Sequence, residues 1–243
     1  MTPTRNHYEK ILAGHYTWMS GGRRINQEKN TAFFRDAGIR AKPGSHAVDL
    51  GCGPGFHAIP LAHMGFSVTG IDQSAKLLEE LNGEKGDLPI RTIQDDLMNF
   101  DRHSPGGSDL ILCMGDTLPH LDSRETVTRL FEKCYARLKP EGCFIITYRD
   151  LSDELIDLDR FIPVRNNENV ILTCFLEYED MRIKVHDLLY ERQNTEWTFK
   201  KSSYYKLRLP LAWVTRQLEA NGFEPAVSSA WNGMAVVIAT KLR

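Results

Sequence analysis

The chain has 243 residues, 42% hydrophobic and 26% charged, with 30 basic residues against 32 acidic ones and a formal net charge of -2. That is the balance of a soluble globular protein, long enough to bury roughly 70–75% of its extended surface as one domain, or one domain carrying a subdomain. The basic residues are dispersed, which argues against a broad nucleic-acid footprint, and no apolar run approaches the ~20 residues of a membrane span.

MTPTRNHYEK at the start lacks an apolar signal core, so the expected location is cytoplasmic. The five cysteines (52, 113, 134, 143, 174) never fall in CxxC spacing; neither a disulfide framework nor a zinc site is expected. The eight histidines form no ligand constellation, and no metal is expected.

Residues Tyr8, Ile11, Leu12, His15, Tyr16 and Met19 have the spacing of one helix face, ended by Ser20-Gly21-Gly22. A second helix is expected over 26–37. HAVDLGC (46–52) reads as a short apolar strand, followed by a glycine turn and a helix through about Met64, in which Pro60 should cause a kink or mark an irregularity. FSVTGID (66–72) is a second strand. Ser74 caps the next helix, with Leu77, Leu78 and Leu81 inward. PIRTIQDD (89–96) and DLILCMG (109–115) are further strands, and Asp122 with Glu125 has capping-box spacing for the helix that carries Val127 to Leu138. CFIITYR (143–149) is the fifth strand.

Past residue 150 the rhythm changes. VILTCFLEYE, MRIKVHDLLYE and EWTFKKSSYYKLRL follow one another as an antiparallel meander would, then LAWVTRQLEANG forms a helix. PAVSSAW and MAVVIATKL flank Asn232-Gly233, a type I′ hairpin signal. Strands alternating with helices imply right-handed crossovers in a parallel sheet. The expected fold is α/β: a Rossmann-like parallel sheet with helices on both faces, a C-terminal antiparallel β-hairpin and a small antiparallel β insert. Within the insert, alternation puts Trp197, Phe199 and Tyr205 on one face and Tyr204 on the other, with core packing as their expected role and a substrate wall or dimer contact as the alternative.

The stretch DLGCGPGFHAI (49–59) is the chemical signal. It lacks the Lys-Ser or Lys-Thr of a phosphate-binding P-loop, and Gly51, Gly53 and Gly55 give GxGxG rather than the GxGxxG of a dinucleotide fingerprint. Asp72 stands at the right distance for a ribose in either setting. Asp49 argues against a pyrophosphate beside the turn and is compatible with a ligand bearing an ammonium and a sulfonium.

VDLGCGPGFHAIPLA, GID (70–72), IQDDL (93–97), DLILCMGDTLPHL (109–121) and LKPEGCFII (138–146) together resemble the ordered motifs of class I S-adenosylmethionine-dependent methyltransferases. The resemblance is strong over about 45–150 and topological only beyond. It implies S-adenosyl-L-methionine as cofactor, S-adenosyl-L-homocysteine as product, and direct methyl transfer. Gly51 and Gly53 would pack against the methionine part, with Asp49 near its amino group. Asp72 would accept both ribose hydroxyls, a bidentate task suited to a carboxylate. Asp96 would meet the adenine amino group and Leu97 the ring, with Asp95 as the competing register; Gln73 and Met114 complete the implied cofactor set. Cys52 is read as a packed residue.

The domain scheme that follows is a helical cap (1–44), a cofactor-binding core (45–150), a helix and β insert covering the substrate (151–209), and a final helix and hairpin (210–243). MGDTLPHL and TYRD, at two strand ends, are similar to the glycine N-methyltransferase branch, with Asp116 where that branch has asparagine. Asp116 and His120 are candidate proton acceptors; Asp116, Thr117 and Arg149 are candidate substrate contacts. Thr117 and His120 have an alternative role as turn packing, and Arg149 as a partner of nearby aspartates. Tyr16 and Trp18 are candidate lid aromatics, and Arg23 or Arg24 a candidate for the cofactor carboxylate. The implied acceptor is a small molecule, an amine or hydroxyl compound bearing an anionic group; the alternatives are an RNA or protein acceptor, or a non-catalytic cofactor-binding module. Neither nucleic acid nor membrane is an expected partner.

Overall fold

A computed structural model describes residue 7, residues 11–104 and residues 106–242. A short helix α1 (Tyr16–Met19) and α2 (Arg23–Asp36) precede the first strand. The core then alternates: β1 (His46–Leu50), α3 (Ala58–His63), β2 (Ser67–Asp72), α4 (Ala75–Glu84), β3 (Ile90–Gln94), β4 (Ser108–Cys113), α5 (Arg124–Arg137) and β5 (Leu138–Tyr148). Four antiparallel strands follow, β6 (Phe161–Asn166), β7 (Val170–Tyr178), β8 (Arg182–Gln193) and β9 (Glu196–Leu207), before α6 (Leu211–Ala220) and the pair β10 (Phe223–Trp231) and β11 (Met234–Lys241).

The main sheet runs β10-β11-β5-β4-β1-β2-β3, with β1 to β5 mutually parallel and the last pair antiparallel. Both faces are covered, as the near-continuous apolar strands require. Ala47, Val68, Leu110 and Ile145 pack with α2, α3 and α4 on one face. Their chain neighbours Val48, Ile111 and Ile146 pack with α5 and α6 on the other. Asn232 and Gly233 both take positive φ, 50° and 70°, as a type I′ turn demands. The second sheet, β6-β7-β8-β9, packs its inner face against Ile11 and Leu12.

Several local expectations need correction. Tyr8 lies outside the described residues, and the helix expected to reach Met19 is interrupted by a turn over 13–15, where Gly14 weakens helix formation. Pro60 causes no kink, because α3 starts only two residues earlier and the missing N–H falls in the first turn. The cap of α5 is Ser123, not Asp122: its extended backbone lets the hydroxyl accept from the Thr126 amide at 3.2 Å. β6 was not anticipated. Of the four aromatics on β9, Trp197 (46%), Phe199 (49%) and Tyr205 (37%) are exposed, whereas Tyr204 (6%) is in the core; the N-terminal segment covers the Tyr204 side of the sheet. Among the described residues, no helix is long and apolar enough to cross a membrane.

Candidate functional site

A cavity of about 340 Å³ opens at the carboxyl ends of β1 to β4. The chain order reverses there between β1 and β4, which is where open α/β sheets bind ligands. The glycine turn forms its floor. The Gly51 and Cys52 amides both donate to the Ile71 carbonyl, at 2.8 and 3.1 Å, tying the turn to the end of β2. Gly51 has φ +73°, and a Cβ placed on it would sit 2.6 Å from Thr117 Cγ2. Only glycine lets the turn approach the β4 loop this closely.

Asp72 is set by the same turn. One carboxylate oxygen accepts from the Gly53 amide and the other from the Ser74 amide, each at 2.8 Å. These bonds hold the carboxylate at the cavity wall. At the end of β3, Asp96 accepts from Gln73 Nε2 (3.0 Å) and from the Met98 amide (2.8 Å). Asp95 also lines the cavity, but its oxygens are engaged by the Asp96 amide, Asn99 and His103. The bonds from His103 and then Asn99 hold its carboxyl at about 2.

Asp49 lies beneath the turn, fully buried; among the described residues its carboxylate has no side-chain hydrogen bond, and only the Ala58 backbone favours its charged form. Burial, reinforced by Asp72, pushes it up to about 8. His57 Nδ1 stands 3.8 Å from Asp49 Oδ1, and burial pulls this imidazole down to about 4. A buried carboxylate so weakly compensated is costly, so this end of the site is chemically suited to a cation. Tyr16 lies over the other side of the turn. Burial, then the Asp72 charge, pushes its phenol up to about 12, so it stays a protonated donor.

The far wall is built on the turn after β4. Asp116 is 4% exposed and has φ +72°, an uncommon conformation for a residue with a side chain. The turn is stapled to the end of β5: Gly115 N donates to Thr147 Oγ1 (2.9 Å) and Asp116 N to the Thr147 carbonyl (3.0 Å). Asp116 Oδ1 accepts from the Arg149 amide at 2.9 Å. Its Oδ2 accepts from Arg149 Nη1 at 3.0 Å and from Lys206 Nζ at 2.5 Å. Burial alone would raise this carboxyl, but Lys206 and then Arg149 outweigh it and hold it at about 2. Asp116 is therefore a weak base. His120 stacks on Tyr204 with ring centroids 5.3 Å apart, and burial followed by Lys206 lowers it to about 3.

The structure gathers Gly51, Gly53, Asp72, Gln73, Asp96 and Leu97 on one side of this cavity. Asp116, Thr117 and His120 stand on the other. Three expected residues do not line it. Met114 packs in the core with Leu112 and Ile145, because its place in the strand alternation faces α2 to α4, while the next residue, Gly115, lines the cavity. Asp49 sits below the floor, and Arg149 stands behind Asp116. Thr117 donates its hydroxyl to the Met114 carbonyl at 2.8 Å.

Of the lid residues, Tyr16 reaches the cavity and Trp18 does not: Trp18 packs on the insert core under Arg165. Arg23 is held by the Pro54 carbonyl and Glu80, and Arg24 pairs with Glu28 on the surface. Sequence reasoning missed Lys206 and Arg182, which line the cavity from the insert. The available signal was a lysine two residues after the inward Tyr204, on the same side of β9.

Residues 47–142 match the family model for a methyltransferase domain. The glycine/sarcosine N-methyltransferase of Halorhodospira halochloris is 31% identical over 121 residues, covering 49% of this chain and 45% of that protein. The ubiquinone biosynthesis O-methyltransferase of Proteus mirabilis is 31% identical over 101 residues, covering 41% and 40%. The chain thus spans less than half the length of these curated relatives. In three dimensions it resembles the S-adenosylmethionine-bound amino pentose methyltransferase CalS10 of Micromonospora echinaspora, with TM-score 0.76 and 17% identity over 96% of this chain and 97% of that one. The fold is that of S-adenosylmethionine-dependent methyltransferases.

Proposed function

We propose that this protein is an S-adenosylmethionine-dependent methyltransferase that moves the methyl group directly onto the nitrogen of a small acceptor. The observation that carries the reading is the pairing of two unlike walls in one cavity: a carboxylate-lined glycine turn, and a polar wall without a strong base. The residues fit the cofactor. Asp72 is oriented by two backbone amides at the cavity wall, where a carboxylate is the acceptor suited to ribose hydroxyls. Asp49, buried and weakly compensated, suits the amino group of the methionine part. Asp96 and Leu97 stand where the adenine would lie. When bound, the cofactor supplies a methyl group on an electrophilic sulfonium.

The chain's own contribution is alignment and exclusion of water. Holding two reactants in line is worth roughly 7–11 kcal/mol, so strong base catalysis is not demanded. The weak basicity of Asp116 and His120 bears on the acceptor atom. An alcohol would need a base poised near the working pH, and neither residue is one. A neutral amine carries its lone pair already and needs only placement. His120, unprotonated at neutral pH, faces the acceptor space; Asp116 acts as a positioning residue. Tyr16 covers the junction of the two walls as a hydrogen-bond donor.

The test has two parts. S-Adenosylhomocysteine at a hundred times its dissociation constant should stabilise the fold by about 2.7 kcal/mol, and NAD should not. Labelled methyl groups offered with a cell extract should then appear in small amines. Label in RNA or protein would replace the small acceptor, and binding without turnover would leave a non-catalytic module.

A further inference from the structure

We infer that Lys206, supplied by the β insert, is the acceptor-recognising cation of this site, and that the acceptor carries a carboxylate or similarly compact anion beside its nucleophile. This rests on the methyl-transfer reading and adds the residue that sets its specificity. Two cations converge on Asp116, so the group of three carries one surplus positive charge. The cations are not equivalent. Arg149 is anchored twice to Asp116, through its amide and its guanidinium, is 54% exposed, and does not line the cavity. Lys206 lines it, with a side chain only 11% exposed.

An ammonium has three donors. Asp116 takes one, and the Tyr204 ring centroid lies 5.8 Å from Nζ. Withdrawing a cation from water is expensive unless anionic partners balance it. Here one carboxylate serves two cations, and the remaining demand faces the space beside His120. Arg182, the other cation at this wall, is already occupied: it donates to Glu179 Oε2 at 2.6 Å and lies 4.0 Å over the Tyr205 ring. Arg149 is thereby a positioning residue, fixing the Asp116 carboxylate that in turn fixes Lys206.

The probe is acetate, with acetamide as its neutral isostere, titrated calorimetrically into the full chain saturated with S-adenosylhomocysteine. Acetate should bind in the millimolar range and acetamide should not. Lys206→Met and Lys206→Gln should weaken acetate by at least about tenfold, the loss of a charge-assisted hydrogen bond. Lys206→Arg should largely retain it. Affinity for S-adenosylhomocysteine should be unchanged in all three. Equal binding of acetate and acetamide by the unsubstituted protein, or acetate affinity indifferent to the charge at 206, overturns the inference. Failure of the unsubstituted protein to bind S-adenosylhomocysteine would instead overturn the cofactor reading, so the two failures are distinguishable.

Discussion

Replacing Gly51 with alanine tests whether the close approach of the glycine turn to the β4 loop organises the cavity. Two costs apply. The residue sits at φ +73°, where a Cβ costs roughly 1–2 kcal/mol. The new methyl would also lie 2.6 Å from Thr117 Cγ2 and 2.7 Å from its Oγ1. Thr117 cannot rotate away without breaking its 2.8 Å bond to the Met114 carbonyl, and overpacking of this kind costs typically about 1–3 kcal/mol. The expected destabilisation is about 2–5 kcal/mol. Thr117→Ala alone should cost only about 0.5–1.5 kcal/mol, the value of one hydrogen bond. Combined with Gly51→Ala it removes the atoms that clash, so the double variant should be more stable than the sum by about 1–3 kcal/mol. Urea unfolding of the four proteins measures this directly. Strict additivity, or a Gly51→Ala cost below about 1 kcal/mol, would refute the packing argument.

Asp72→Asn keeps the volume but loses the charge, and affinity for S-adenosylhomocysteine should fall about 10- to 100-fold by calorimetry; an unchanged dissociation constant removes Asp72 from the ribose. Without ligand, stability should peak near pH 6.5. His57 and His120 have folded values of about 4 and about 3, below the unfolded 6.5, so the unfolded chain binds more protons and stability is lost as pH falls from 6.5. Asp49, raised to about 8, works the other way: its contribution is lost as pH rises from about 4 through 8. The net slope falls from about one proton near pH 5, about 1.4 kcal/mol per unit, to zero near pH 6.5, where the histidine and Asp49 contributions balance, and above that the decline from Asp49 takes over. Urea midpoints from pH 5 to 7.5, below the range in which the buried thiols raised by desolvation begin to contribute, check the shape, and Asp49→Asn should flatten the alkaline side; a decline within this range that survives the substitution would refute the assignment.

The core was legible because its signals are local. Each strand of the parallel sheet is a short apolar run, each is followed by a turn with glycine or a capping residue, and the Asn232-Gly233 hairpin is written in two residues. Asp72 and Asp96 could be brought to the sheet's carboxyl edge because one ends β2 and the other lies two residues past β3. Errors arose where tertiary contact overrode local pattern. Strand β6 holds Pro163, a residue tolerated only at sheet edges, and it pairs with β7 alone. The insert aromatics looked like core, but the sequence does not say which face the N-terminal segment will cover.

The two walls of the cavity differ in how far along the chain their parts are separated. Gly53 and Asp72 are 19 residues apart, and Gln73 and Asp96 are 23 apart, each pair joining the ends of neighbouring strands. Asp116 and Arg149 are 33 apart, and Asp116 and Lys206 are 90 apart. The first wall is therefore a property of the α/β core and persists in any chain that folds this way. The second exists only when β9 docks against the β4 turn. Substitutions in β8 or β9 can change which acceptor is held without disturbing the glycine turn, whereas a change at Gly51 or Thr117 reaches both walls at once. On the methyl-transfer reading proposed above, acceptor choice is thus separable from cofactor binding. The residue through which that separation acts here is Lys206, in a part of the chain that the cofactor motifs do not reach.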